Sequence, residues 1–125
     1  IMPPLSVSAR PGVLETLQSA QTATGNGTPM GVPRSVSKHI FYVVGNGTIS
    51  AGAVAMETAH DPEYTGTWAP LVNHLATPTT NPVVGVTNAV VIYSYIGALS
   101  AIRARISTTV TGGGTLTVYY LCIQQ

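Results

Sequence analysis

The run from Ala101 to Gln124, "AIRARISTTVTGGGTLTVYYLCIQ", constrains the fold of this chain more than any other stretch. Its residues alternate in kind with a period of two, and a strand sends successive side chains to opposite faces. Ile102, Ala104 and Ile106 therefore share one face, and Arg103 and Arg105 the other. Three consecutive glycines follow, so residues 97–110 and 114–124 are predicted to pair as a hairpin closed by the triple glycine. In the second strand Leu116, Val118, Tyr120 and Cys122 fall on one face, while Tyr119, Leu121 and Ile123 fall on the other. A strand apolar on both faces is covered twice within its own fold or covered by a neighbouring subunit. A single domain of this size has little material for a second cover, so contact with another subunit is expected at Tyr119, Leu121 and Ile123. Arg103 and Arg105 either blunt a strand edge or pair with acidic groups of a partner subunit.

The remainder of the chain uses the same vocabulary. "KHIFYVV" (38–44) is β-branched and aromatic, and "GNG" (45–47) after it signals a hairpin turn into "TISAGAVAMET" (48–58). "AHDPEYTG" (59–66) is a polar loop, and "TWAPL" (67–71) holds the single tryptophan, expected to plug one end of the fold. "NHLATPTTNP" (73–82) reads as a crossing between sheets, and "VVGVTNAVVIYSY" (83–95) as one or two strands. Residues 13–21, "VLETLQSAQ", fit a short helix or an extended strand equally well. Residues 1–37 are otherwise rich in Pro, Gly, Ser and Thr, and are expected to form an extended arm ordered by what it lies against. The result is an all-β chain: one β-sandwich or jelly-roll-like domain over 38–125, of about seven to eight antiparallel strands, preceded by an arm over 1–37.

Composition narrows the function. Charged residues make up 7% of the 125, against about 25% in ordinary soluble domains. So neutral a surface tends to associate, which suits a chain that spends its life inside an assembly. The basic residues Arg10, Arg34, Lys38, Arg103 and Arg105 are scattered and form no nucleic-acid patch. No stretch is apolar enough to span a membrane, and no targeting segment is visible. Cys122 has no second cysteine to pair with and sits in an apolar strand, where a thiol serves as a small buried hydrophobe.

Candidate chemistry is sparse. Glu57, Asp61 and Glu63 lie within seven positions around "HDPEY", which reads as a turn rather than a cation site. His39, His60 and His74 lack zinc-ligand spacing, and the glycine clusters lack the strand-to-helix setting of a phosphate loop. No catalytic residue, metal or cofactor is expected. Trp68 and the tyrosines could stack on sugar rings if exposed, but Tyr93, Tyr95, Tyr119 and Tyr120 lie in apolar strands that favour burial.

The order "GTISAGAVAME", acidic loop, "TGTWAPL", Thr/Pro connection, "GALSAIRARIS", glycine turn and "GTLTVYYL" resembles small β-sandwich structural proteins of tailed bacteriophages. The resemblance spans roughly residues 38 to 124, with the "HDPEY" loop longer than the turn common in that group. It implies a virion component on the capsid surface: a capsid decoration (cement) protein that binds the major capsid protein and itself, most often as a trimer. A tail or neck accessory protein, or a glycan-binding module for host attachment, is the alternative. The interface would draw on Arg103, Arg105, Tyr119, Leu121, Ile123 and Trp68, with the arm laid across a neighbouring subunit.

Overall fold

The computed structural model describes residues 7–75 and 81–124. Among them no helix forms, and eleven strands do: β1 (Val7–Ser8), β2 (Glu15–Gln21), β3 (Gly25–Asn26), β4 (Met30–Gly31), β5 (Val36–Asn46), β6 (Ala51–Ala59), β7 (Ala69–Pro70), β8 (Val83–Val84), β9 (Val90–Ile96), β10 (Ala101–Thr111) and β11 (Thr115–Gln124). They make two sheets. The four-stranded sheet has the order β2-β11-β5-β9; the seven-stranded sheet runs β1-β4-β10-β6-β7, with β3 also on β10 and β8 on β6. All pairings are antiparallel except the short β1–β4 bridge.

The long strands explain the architecture. β5 pairs with β11 from Asn46↔Thr115 to Val36↔Gln124, and β6 pairs with β10 from Ala51↔Thr111 to Ala59↔Ala101. The two connections, 46–51 and 111–115, lie side by side and are tied by Gly114 N–H to Thr48 O and Ser50 N–H to Thr111 O, both 2.8 Å. The chain is thus a two-stranded ribbon folded over on itself, and each half becomes the centre of one sheet. This corrects two hairpin expectations. Neither "GNG" nor "TGGG" closes a hairpin, because each hands its strand to the other sheet. Gly114 is required there by space, since a Cβ would stand 2.5 Å from Asn46 O; Gly113 is required by conformation, at φ +99° with nothing near it.

Alternation decides what the fold buries. Ile102, Ala104 and Ile106 point inward, as their spacing indicates, with Val54 and Met56 beside them on β6. From the other sheet Phe41, Val43, Tyr93, Leu116, Val118, Tyr120 and Cys122 enter the same core. Phe41 meets the Tyr93 ring edge-on at 5.6 Å, an arrangement the aromatic quadrupole favours. An ionisable side chain, a histidine, is buried beside them. His39 is fully enclosed; its Nε2–H donates to Gly97 O (2.8 Å), so Nδ1 is free to accept from the Tyr120 hydroxyl (2.6 Å). Every ring nitrogen therefore has a partner, which is what makes an imidazole tolerable there. Burial pushes its pKa below the ordinary histidine value and pushes the Tyr120 hydroxyl and Cys122 thiol up.

Residues 7–37 are not an arm. Leu17 on β2, Met30 on β4, and Ala9, Val32 and Val36 lie in the common core, and β2 is hydrogen-bonded along β11. Gln18 reaches across from β2 to donate to Ala104 O (2.9 Å), joining the two sheets at that side. The Pro- and Gly-rich composition misleads because these short strands need few residues of their own and are ordered by the long strands they join. Residues 1–6, the start of the expected arm, lie outside the described residues, as do 76–80 of the Thr/Pro connection. Of the two readings for 13–21, the strand is realised. Leu17 alone of its apolar residues is fully buried, and Ala20 takes a positive φ of 47° where β2 bulges against β11.

Candidate interaction surface

The outward faces of the two sheets carry the residues that the sequence singles out. On the seven-stranded sheet β10 presents Arg103 and Arg105, and its register with β6 sets Glu57 opposite Arg103 and Ala55 opposite Arg105. Glu57 accepts from both: Arg103 Nε–H to Oε1 at 2.8 Å and Arg105 Nε–H to Oε2 at 3.0 Å. The Arg103 guanidinium also lies 4.5 Å above the Trp68 ring, a cation–π stack. Trp68 is buried, and its Nε1–H donates to Tyr64 O (2.9 Å), a carbonyl supplied by the "HDPEY" loop. That loop turns at Asp61, whose Oδ1 accepts from Glu63 N–H.

This geometry revises two expectations. The acidic partner of the arginines stands on the same chain, because antiparallel register brings Glu57 across from them; and β10 is an interior strand with no edge to blunt. Trp68 does not plug an end of the core. It lies on the outside of the sheet beneath Arg103, and at 3% exposure offers no ring face to a sugar. The Arg105 side chain, 40% exposed, is the most accessible member of the group.

The four-stranded sheet differs in kind. Across β11, β5 and β9 its outward rows read Thr117–Val44–Val90, Tyr119–Tyr42–Ile92, Leu121–Ile40–Ser94 and Ile123–Lys38–Ile96. Lys38 is the one charged residue in those rows. Tyr119, Leu121 and Ile123 are half-buried by their neighbours, whereas Leu14, Val90, Ile92 and Ile96 are about half exposed, at 53%, 54%, 48% and 53%. A shallow groove of about 360 Å³ runs between Leu14 and Val90, floored by Tyr42, Val44, Tyr119 and Leu121. The structure thus brings the three residues expected on β11 together with an apolar set from β5 and β9. The signal for that set was present: Val90, Ile92 and Ile96 alternate along "VVIYSYI" as the β11 residues do along theirs.

The edge of this sheet at β9 is partly engaged. Asn73 Oδ1 accepts from Ser94 N–H (3.2 Å), His74 N–H donates to Ser94 O (2.7 Å), and His74 Nδ1 accepts from Ile96 N–H (3.0 Å). Residues 73–74 so occupy backbone groups that would otherwise invite another strand. What remains is a face for side-chain packing.

Neither a family model nor a curated protein matches the sequence. Among solved structures, the crystal structure of SPBc2 prophage-derived protein YomS is similar to this chain with a TM-score of 0.63 over 88% of this chain and 91% of that one. The identity is 12%, so the two share a fold, built on residues that have almost all changed.

Proposed function

We propose that this chain is a non-enzymatic structural protein of a bacteriophage particle, a β-sandwich that decorates the head and meets protein neighbours there, further copies of itself among them. The observation that carries the reading is the fold shared with a prophage-derived protein over nearly the full length of both chains. The outward face of the four-stranded sheet supports it: a surface with a single charged residue in its rows suits permanent contact better than free existence in water. The mechanism is mechanical. Contacts to the major capsid protein add buried area across joints of the shell and stabilise the bound arrangement by mass action.

A cryo-EM map of the particle that carries this chain tests the reading. Density for the two sheets repeated on the head lattice, with no contact to nucleic acid, is the expected result. Density confined to the tail or neck replaces decoration by an accessory role, and a particle without the chain overturns the proposal. The glycan-binding alternative loses its main residue with Trp68 enclosed, and a structural role is the reading we retain.

A further inference from the structure

We infer that the outward face of the four-stranded sheet pairs with the same face of a second copy of this chain about a two-fold axis. Three features point to that occupant. The first is composition. The face carries a shallow apolar groove beside Leu14 and half-exposed apolar side chains at Ile92 and Ile96, so a copy of itself offers the apolar cover it lacks. The second is charge. Lys38 stands at the end of the face marked by Ile96 and Ile123, away from Val44 and Val90. An antiparallel pairing of two copies therefore holds the two ammonium groups apart and buries neither at the centre. A lipid surface, by contrast, would call for a basic rim, and the rows offer this one lysine.

The third feature is area. Four strands about 4.8 Å apart, each presenting about seven residues at about 3.3 Å, give a face near 20 by 23 Å. Two such faces remove about 900 Å² from water, the size of a weak, reversible association rather than a permanent one. With residues 73–74 already bonded to β9, the copies meet by face packing and not by extending the sheet. Such pairing is isologous and closes at two copies, whereas the resemblance to phage decoration proteins implies three.

Sedimentation velocity and light scattering of the purified chain, from low micromolar to near-millimolar concentration, read this directly. The expected result is a monomer–dimer equilibrium. Ile92→Lys and Ile96→Lys, both at exposed positions that leave the core alone, raise its midpoint on the order of a hundredfold by forcing a charge into the apolar contact. Val84→Lys, more exposed still but on the seven-stranded sheet, leaves the midpoint unchanged. A circular-dichroism melt matching the parent shows that each variant is folded. Monomer throughout the range, a trimer, or a dimer indifferent to Ile92→Lys each overturns the proposal, as does binding to neutral or anionic vesicles that the same variant abolishes. None of these outcomes bears on whether the chain rides on a particle, which the cryo-EM map decides.

Discussion

The two sheets solve the problem of a second face in opposite ways. On the seven-stranded sheet β6 offers Ala53 and Ala55 on the face of Glu57, small residues that leave space above the strand. The arginine stems of β10 lie beside them with their heads on Glu57 and Trp68, so the chain covers itself with its own amphipathic side chains. On the four-stranded sheet the outward rows across β11, β5 and β9 consist, in all but one, of hydroxyl or apolar residues. One face is closed by polar chemistry within the chain; the other leaves apolar side chains half exposed. Scarcity of charge is therefore local. Three of the nine charged residues lie in one cluster.

Opening the closed face produces the largest effect. Glu57→Ala leaves two guanidinium groups side by side without their shared acceptor, and Arg103 is largely buried, its side chain only 14% exposed. Losing one partner of a buried ion pair costs about 3–5 kcal/mol, and chemical denaturation should show a loss of that order. Glu57→Ala combined with Arg103→Met and Arg105→Met should recover most of it, because the uncompensated charges go with the carboxylate. If the single variant loses less than about 1 kcal/mol, the cluster is a surface pair of the ordinary weak kind and the contrast between faces disappears.

The ribbon that carries both faces can be disturbed where it crosses between sheets. Gly114→Ala pushes a methyl group against the Asn46 and Thr48 carbonyls, at 2.5 and 2.8 Å from the new Cβ, and neither backbone atom can swing away. A loss of about 2–3 kcal/mol is expected by denaturant midpoint. Gly113→Ala meets no atom and carries only the strain of its positive φ, on the order of 1 kcal/mol. Equal losses at the two positions would show that the Asn46 and Thr48 carbonyls do not crowd position 114 enough to set its demand for glycine.

Much of this was legible in the sequence. Period-two alternation assigned Ile102, Ala104 and Ile106 to the core and both arginines to the other side, and it split β11 correctly into its two faces. Pairing was not legible. A glycine run after a strand signals a reversal of direction, but the same reversal serves a hairpin or a passage to a second sheet, and only long-range register separates them. Glu57 stood out as part of the acidic cluster, but its pairing with the arginines was missed for the same reason: it is 46 and 48 residues from them. The N-terminal segment was misjudged because short strands such as β3 and β4 carry no periodicity of their own, and Met30 and Val32 draw their burial from β10 and the 97–101 turn beneath them.

Both faces rest on the core that His39 occupies, and acid probes it. The folded state holds His39 neutral with its pKa below the ordinary 6.5, while the unfolded chain takes up the proton near that value. Below it the unfolded state binds more protons, so stability is complete above pH 6.5 and falls as the pH drops through and below it. Denaturation midpoints between neutral and mildly acid pH should show this decline. His39→Gln, which does not ionise, should flatten it at the cost of overall stability, since an amide does not reproduce the geometry of both imidazole hydrogen bonds. A pH-independent midpoint in the parent protein would mean that the pocket admits the imidazolium.

The smallest effect belongs to the open face, and its smallness is the point. Ile92→Thr and Ile96→Thr remove apolar carbon from positions that are about half exposed and keep the β-branch that suits a strand. In the isolated chain each should change stability by less than about 0.5 kcal/mol, whereas Ile102→Ala in the core should cost about 2–5 kcal/mol. Measured in dilute solution, where copies stay apart, the two threonine variants should unfold with the parent. A loss above about 1 kcal/mol per site under those conditions would mean that Ile92 and Ile96 already stabilise the lone chain. The four-stranded sheet would then be as self-sufficient as the seven-stranded one, with no need of a second copy.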